Sequence, residues 1–221
     1  MKTDELIDRL GRDVTVTRPL PAPGIRTAVW MVWAGVYLVV GAVMMFALMS
    51  SAGVVSTPLY LAQQGVALAT GIMAARAAFA SVIPGSNNRV WVPPAIGVAV
   101  WAALLLWEGM RDLQASGTLG ATSQSDWPCV VSMTLGGVVV GAPLVWMLRR
   151  GAPLTPGLTA FLAGLAALSF ANIEACVTRP HVFAVTILLW HGGTVAAVAA
   201  LCALTGHRWF RWPDMTRKVS L

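Results

Sequence analysis

The amino-acid sequence predicts an all-α integral membrane protein, a bundle of six transmembrane helices with both termini on the cytoplasmic side. Three observations lead to this prediction. Six apolar stretches follow one another along the 221 residues, 57% of the residues are hydrophobic while 11% are charged, and basic residues are concentrated in alternate connections. A soluble domain of this length would carry about 25% charged residues. A water-soluble helical core is therefore the weaker interpretation.

Each apolar stretch is long enough to cross a bilayer. About twenty residues at a rise of 1.5 Å span a hydrocarbon core of roughly 30 Å. Lipid offers no partner to backbone amides, so each stretch is predicted to be a helix. In chain order the stretches are roughly Thr27–Ser50, Pro58–Val82, Trp91–Met110, Pro128–Leu148, Pro156–Cys176 and Val182–Thr205.

The distribution of Lys and Arg predicts the orientation. Thirteen of the fifteen basic residues fall in the two termini or in and beside the second and fourth connections, and the other two are Arg111 and Arg179. Cytoplasmic connections carry the excess of basic residues, so both termini are expected inside. The formal charge of +6 thus reflects topology and contact with the lipid surface. The basic residues are scattered singly, which argues against direct nucleic-acid binding.

Three parts of the chain follow from this topology. They are a cytoplasmic N-terminal segment of residues 1–26, a transmembrane domain of residues 27–206 and a basic cytoplasmic tail of residues 207–221. The composition gives no sign of a repeat or of a second domain. The first 26 residues are too polar for a cleaved signal peptide, and none is expected.

The N-terminal segment combines a short amphipathic helix with a proline-rich linker. Leu6, Ile7 and Leu10 form an apolar stripe at helical spacing. Arg18 and Arg26 lie in and after the proline-rich run, and their charges suit an acidic partner. Two interpretations remain open. In the first, the segment lies on the lipid surface or forms a ragged terminus. In the second, it is a docking segment for a cytoplasmic partner.

Two of the three cysteines are placed together by the predicted topology. Cys129 begins the fourth helix and Cys176 ends the fifth, so both are expected near the outer water interface on neighbouring helices. Two unrelated interfacial cysteines, a disulfide, and a site for a soft metal or an oxidant are the alternatives. His181 could supply a third metal ligand. Cys202 lies in an apolar run near the inner end and is expected to be a packing residue.

One histidine falls inside an apolar stretch. An ionisable residue within a membrane is a functional candidate, but a hydrogen bond between helices is the favoured interpretation of His191. The sequence carries neither a phosphate-binding glycine loop nor a nucleophile elbow, and no metal-hydrolase motif. We therefore expect no enzymatic activity and no cofactor.

With these features in place, the chain resembles the NrsF family of multi-pass inner-membrane anti-sigma factors of proteobacteria. The resemblance covers nearly the whole chain and is carried by five short motifs in order. These are Met1–Ile7, Arg18–Arg26, Cys129, Cys176 with His181 soon after, and Leu189–Gly192. It implies that an extracytoplasmic-function sigma factor is held at the inner face. It also implies release when a heavy metal or an oxidant acts on Cys129 and Cys176.

Two other functions compete with this one. A small transporter or metal-handling carrier would use His191 and the outer cysteines along a polar route. The fifth predicted helix, however, has almost no polar residue between its start and Asn172. A thiol oxidoreductase would need two cysteines close in sequence or a quinone site, and the sequence shows neither.

Overall fold

The structure is a computed structural model that describes residues 20–48, 57–86, 89–117, 127–151, 153–178 and 184–210, together with Thr3 and Glu5. All regular elements of these ranges are helical, which confirms the all-α prediction. The helices are α1 Pro23–Leu48, α2 Pro58–Ala80, α3 Val92–Ser116, α4 Trp127–Arg149, α5 Pro156–Thr178 and α6 Ala184–Trp209. Inside α6, Leu188–Gly192 form a π-helical turn.

Proline residues and a threonine cap account for several helix starts. Pro23, Pro58 and Pro156 are the first residues of α1, α2 and α5, where a missing backbone N–H costs nothing. Thr57 caps α2, because its hydroxyl accepts a hydrogen bond from the Tyr60 amide at 3.2 Å.

Five of the six helices are long and apolar enough to cross a membrane, and α2 is the exception. Its 23 residues include Gln63, Gln64 and Arg76, which lower its mean hydropathy. Gln63 is buried against neighbouring helices, together with much of one face of α2. A helix shielded by its neighbours needs less apolar surface than one that faces lipid on all sides.

Helix α5 occupies the centre of the bundle. It packs against α1, α2, α4 and α6, and 72% of its apolar span is buried, compared with 17–28% in the other four. Small residues allow this close packing. A Cβ atom added at Gly206 of α6 would lie 2.5 Å from the Pro156 carbonyl oxygen, and one at Gly157 would lie 3.1 Å from the Ala203 oxygen. The α5–α6 crossing therefore requires glycine.

An aromatic contact ties α1 to this centre. Trp30 is almost fully buried, and its indole ring meets Phe170 of α5 edge-on at a centroid distance of 5.1 Å. The indole N–H also donates to the Val140 carbonyl of α4 at 3.0 Å. Three helices are thus joined at one side chain, and its polar atom is satisfied within the core.

Candidate functional site

Cys129 and Cys176 lie at the same level of an antiparallel helix pair. A Cβ atom added at Gly137 of α4 would lie 2.9 Å from Leu168 Cδ2 of α5, and these two residues mark one level of the pair. Cys129 precedes Gly137 by eight residues and Cys176 follows Leu168 by eight residues. Both cysteines therefore lie toward the end of the bundle formed by the start of α4 and the end of α5, which we call the cysteine end.

Burial distinguishes these cysteines from the expected interfacial pair. Cys129 is 2% exposed and Cys176 is 4% exposed, and both are thiols. The predicted topology places both cysteines near water, whereas in the structure the neighbouring helices cover them. A metal ion or an oxidant would have to enter the bundle to reach either sulfur atom.

Cys176, Asn172 and His191 form a buried polar cluster. Asn172 and Cys176 are four residues apart and share one face of α5. The Nδ1 atom of His191 lies 2.8 Å from Asn172 Oδ1 and 3.7 Å from the Cys176 sulfur. The Cys176 thiol also lies 3.9 Å from Asn172 Oδ1 and can donate to it. The Asn172 oxygen can only accept, so the imidazole donates through Nδ1.

The π-helical turn presents His191 to this cluster. Such turns insert an extra residue into a helix and often occur at functional sites. The histidine is 2% exposed, and its hydrogen bond to α5 confirms the favoured interpretation of a bonded interhelical histidine. The sequence analysis does not predict the contact between His191 and Cys176, and it proposes His181 as a metal ligand instead. In the sequence, only the position of His191 within an apolar stretch and the Asn172–Cys176 spacing indicate such a contact.

The cluster combines groups suited to soft-metal binding and to thiol oxidation. A thiolate and a neutral imidazole are both good ligands for zinc-like ions. A protonated imidazole near a thiol also stabilises the thiolate, which is the oxidisable form. Among the described residues, however, no group of three His, Cys, Asp or Glu side chains is placed to hold a metal ion. A metal would need a further ligand.

Two carboxylates extend the polar surroundings of the cysteine end. Tyr37 of α1 donates to Glu174 of α5 at 3.4 Å, and Gln63 of α2 donates to Glu108 of α3 at 2.6 Å. Gly136 of α4 leaves room for this tyrosine, because a Cβ there would lie 2.1 Å from its hydroxyl oxygen. Four helices thus contribute hydrogen-bonded polar side chains near the buried thiols.

Arg26 lies at the opposite end, which we call the arginine end. Its guanidinium group stacks on the Phe79 ring at 4.4 Å and donates to the Met147 carbonyl of α4. The side chain is only 5% exposed. The sequence suggested a surface charge contact to a partner, but burial makes Arg26 an anchor for the start of α1 instead.

Five candidate residues from the sequence analysis cannot be placed in the site. Leu6, Ile7, Leu10, Arg18 and His181 lie outside the described residues.

Cys202 packs against the central helix. A Cβ atom added at Gly164 of α5 would lie 3.0 Å from the sulfur of Cys202. Its position in the α5–α6 contact agrees with the expected packing role.

Comparison with known proteins identifies relatives of this chain. The family described as NrsF, negative regulator of sigma F, matches residues 10–212. A probable anti-sigma-F factor NrsF of Azospira oryzae is 31% identical over 134 residues, which cover 58% of this chain and 61% of that relative. The chain thus spans about three fifths of the length of the curated relative. No solved structure matches significantly. The family match extends over all six helices described above, and the chain therefore belongs to the NrsF family.

Proposed function

We propose that this protein is an inner-membrane anti-sigma factor with six membrane-spanning helices and both termini in the cytoplasm. It sequesters an extracytoplasmic-function sigma factor at the arginine end and releases it when a heavy metal or an oxidant acts at the cysteine end. Family membership supports the regulatory role. The excess of basic residues outside the cysteine end supports the orientation. The observation that carries the sensing role is the contact between Cys176 and His191.

The proposed stimulus acts by disturbing the buried cluster. A soft metal that binds the Cys176 thiolate and the His191 imidazole would replace their contacts with Asn172. Oxidation of the thiolate would add a polar oxygen to a site packed for a thiol. Either change would shift the π-helical turn relative to α5. The sensing pair Cys129 and Cys176 spans the α4–α5 contact, so α4 would respond as well.

The central position of α5 provides a route between the two ends. It packs against α1, α2, α4 and α6, so a shift at its cysteine end changes several contacts. For release, the stimulus must favour one of two bundle states by a few kcal/mol. The start of α1 is held to α2 and α4 through Arg26. A change in these helices would therefore reposition the segment that precedes α1.

The proposed partner contact is the N-terminal segment. The stripe formed by Leu6, Ile7 and Leu10 suits a groove on a sigma factor, and Arg18 suits an acidic rim. The bound sigma factor would be unavailable to RNA polymerase while the bundle holds it. Direct contact with nucleic acid is not required by this mechanism.

A co-purification experiment tests the proposal. The tagged protein is expressed in a membrane together with an extracytoplasmic-function sigma factor of the same genome, chosen first from the neighbouring genes, and is solubilised in mild detergent. The sigma factor should co-elute, and cadmium or chromate added to intact cells should reduce the co-eluted amount. An unrelated sigma factor is the matched control. Absence of co-elution before any stimulus would reject the proposed function.

A metal-handling carrier remains the competing function, because it could use the same thiol and imidazole. Between the start of α5 and the cluster, however, the buried side chains are mostly apolar, such as Leu162, Leu165 and Phe170, and do not suit the path of a metal ion. Proteoliposomes discriminate between the two functions. Metal flux across the vesicle membrane supports a carrier, whereas sigma-factor retention without flux supports the regulator.

A further inference from the structure

An elongated cavity lies between α2, α3, α5 and α6, and one of its lining residues is Asn172 of the buried cluster. Its volume is about 370 Å³, within the range of small-molecule sites, roughly 300–1,000 Å³. Its lining on α5 extends from Phe161 to Asn172. Eleven residues of helix rise by about 16 Å, so the cavity is a slot parallel to the bundle axis.

The slot opens on the outer surface of the bundle. Helix α3 packs against the start of α6 and its π-helical turn, but makes no comparable contact with the remainder of α6. The two helices therefore leave a gap, with Ala95 and Val98 on one side and Ala196 on the other. These three residues are exposed. In the proposed membrane, this gap faces lipid, so a ligand would enter from the bilayer.

The walls of the slot are apolar apart from one end. Thr70 and Ser169 line it, but their hydroxyl groups already donate to backbone carbonyls of their own helices at 2.7 and 2.8 Å. Asn172 closes the slot, and its oxygen accepts from His191. The amide nitrogen is then the part of Asn172 that can serve a ligand. At this end the slot thus offers an amide donor beside an apolar channel.

Aromatic rings flank both ends of this channel. Trp101 lies beside the π-helical turn, where a Cβ added at Gly192 would be 3.7 Å from the indole ring. Trp91 lines the other end and is about half exposed. Flat side chains of this kind pack well against a flat ligand ring.

We propose that this slot binds a membrane quinone, with a ring carbonyl at the Asn172 amide and the hydrocarbon tail along the channel. Asn172 is six residues from the end of α5, about 9 Å along the helix. At that depth it lies inside a hydrocarbon core roughly 30 Å thick, below the ester carbonyls of phospholipids. An acyl chain would place methylene groups against the amide and leave the donor unsatisfied. A quinone carries an acceptor on an apolar ring.

The inference rests on the proposed membrane placement but not on sigma-factor binding. It proposes a small-molecule ligand for this protein, and that ligand would bind next to the sensing site. The Asn172 side chain would hold the quinone through its nitrogen and His191 through its oxygen. Occupancy of the slot would therefore bias the position of His191 beside Cys176.

Binding is tested on the purified full-length protein in nanodiscs of synthetic phosphatidylcholine, without a sigma factor. Decylubiquinone is titrated, and quenching of tryptophan fluorescence is followed. The expected result is saturable quenching. Ala196→Phe, which fills the slot from α6, and Val98→Trp, which fills it from α3, should each abolish saturation. Ala197→Phe is the matched control, because Ala197 is exposed on the same helix but does not line the slot.

Two further comparisons test the chemistry of the ligand. Asn172→Leu should weaken decylubiquinone binding about 3- to 10-fold, as expected for the loss of one hydrogen bond. Decylbenzene lacks carbonyl groups. It should bind the parent protein no more tightly than decylubiquinone binds the Asn172→Leu variant. Equal affinity for the two compounds would mean that the slot holds hydrocarbon only and would overturn the quinone assignment. Equal quenching in Ala196→Phe and Ala197→Phe would overturn the location.

Discussion

The sulfur of Cys176 lies 3.7 Å from Nδ1 of His191, although fifteen residues separate them in the chain. The contact joins the end of the central helix to the π-helical turn of the last helix. It brings a thiol, which is a group that oxidants and soft metals attack, beside an imidazole. Because both side chains are buried, a chemical change at either one must be accommodated by movement of the helices.

The first prediction concerns the cysteines. Cys129→Ser and Cys176→Ser should each blunt sigma-factor release by cadmium or chromate, because each removes a thiolate from the proposed sensing pair. The double variant should be no worse than the worse single variant. The measurement is expression from a sigma-dependent promoter before and after the stimulus. Cys202→Ser is the matched control and should respond like the parent. Full induction in the double variant would reject the sensing role.

The second prediction concerns His191. Replacing it by Gln should lower metal affinity by at least about 10- to 100-fold, because that loss is typical even for a group that only supports a ligand. The basal hold on the sigma factor should persist, since Gln can still donate to Asn172. Titration of purified protein with cadmium measures the affinity. His207→Gln is the control, because His207 is exposed near the end of α6. Equal cadmium affinity in the two variants would contradict the proposed ligand role.

Much of the architecture could be predicted from the sequence, whereas the site could not. Helix lengths and starts follow from local rules, so Pro58 and Pro156 mark helix starts in both sequence and structure. Contacts between helices depend on how each helix is rotated. For that reason, the Cys176–His191 contact and the burial of Arg26 were missed. The sparse polarity of α5 was visible in the sequence, and its central position explains it.

The third prediction concerns the α5–α6 crossing. Gly206→Ala should destabilise the protein by about 1–3 kcal/mol, because the new methyl group overlaps the Pro156 carbonyl and forces the helices apart. Thermal unfolding in detergent measures the change. Gly65→Ala is the matched control, because a Cβ there meets nothing within 4 Å. That variant should be neutral or slightly stabilised, since alanine favours a helix more than glycine does. Equal destabilisation would contradict the close crossing.

The fourth prediction concerns topology. Reporter fusions after Gly120 should show a periplasmic location, and fusions after Gly151 a cytoplasmic one, because basic residues cluster beside Gly151. Paired alkaline phosphatase and green fluorescent protein fusions measure this directly. A cytoplasmic result at Gly120 would place the cysteine end inside the cell. An external stimulus would then have to cross the membrane first.

The fifth prediction concerns the N-terminal segment. Leu6→Asp combined with Leu10→Asp should abolish sigma-factor retention and leave membrane insertion intact. Two carboxylates in a groove that accommodates leucines would cost several kcal/mol, enough to lose a complex of micromolar affinity. Co-purification measures retention, and the membrane fraction measures insertion. Leu154→Asp is the control, because Leu154 is an exposed leucine in the connection between α4 and α5. Unchanged retention by the double variant would move the contact to that connection or to the C-terminal tail.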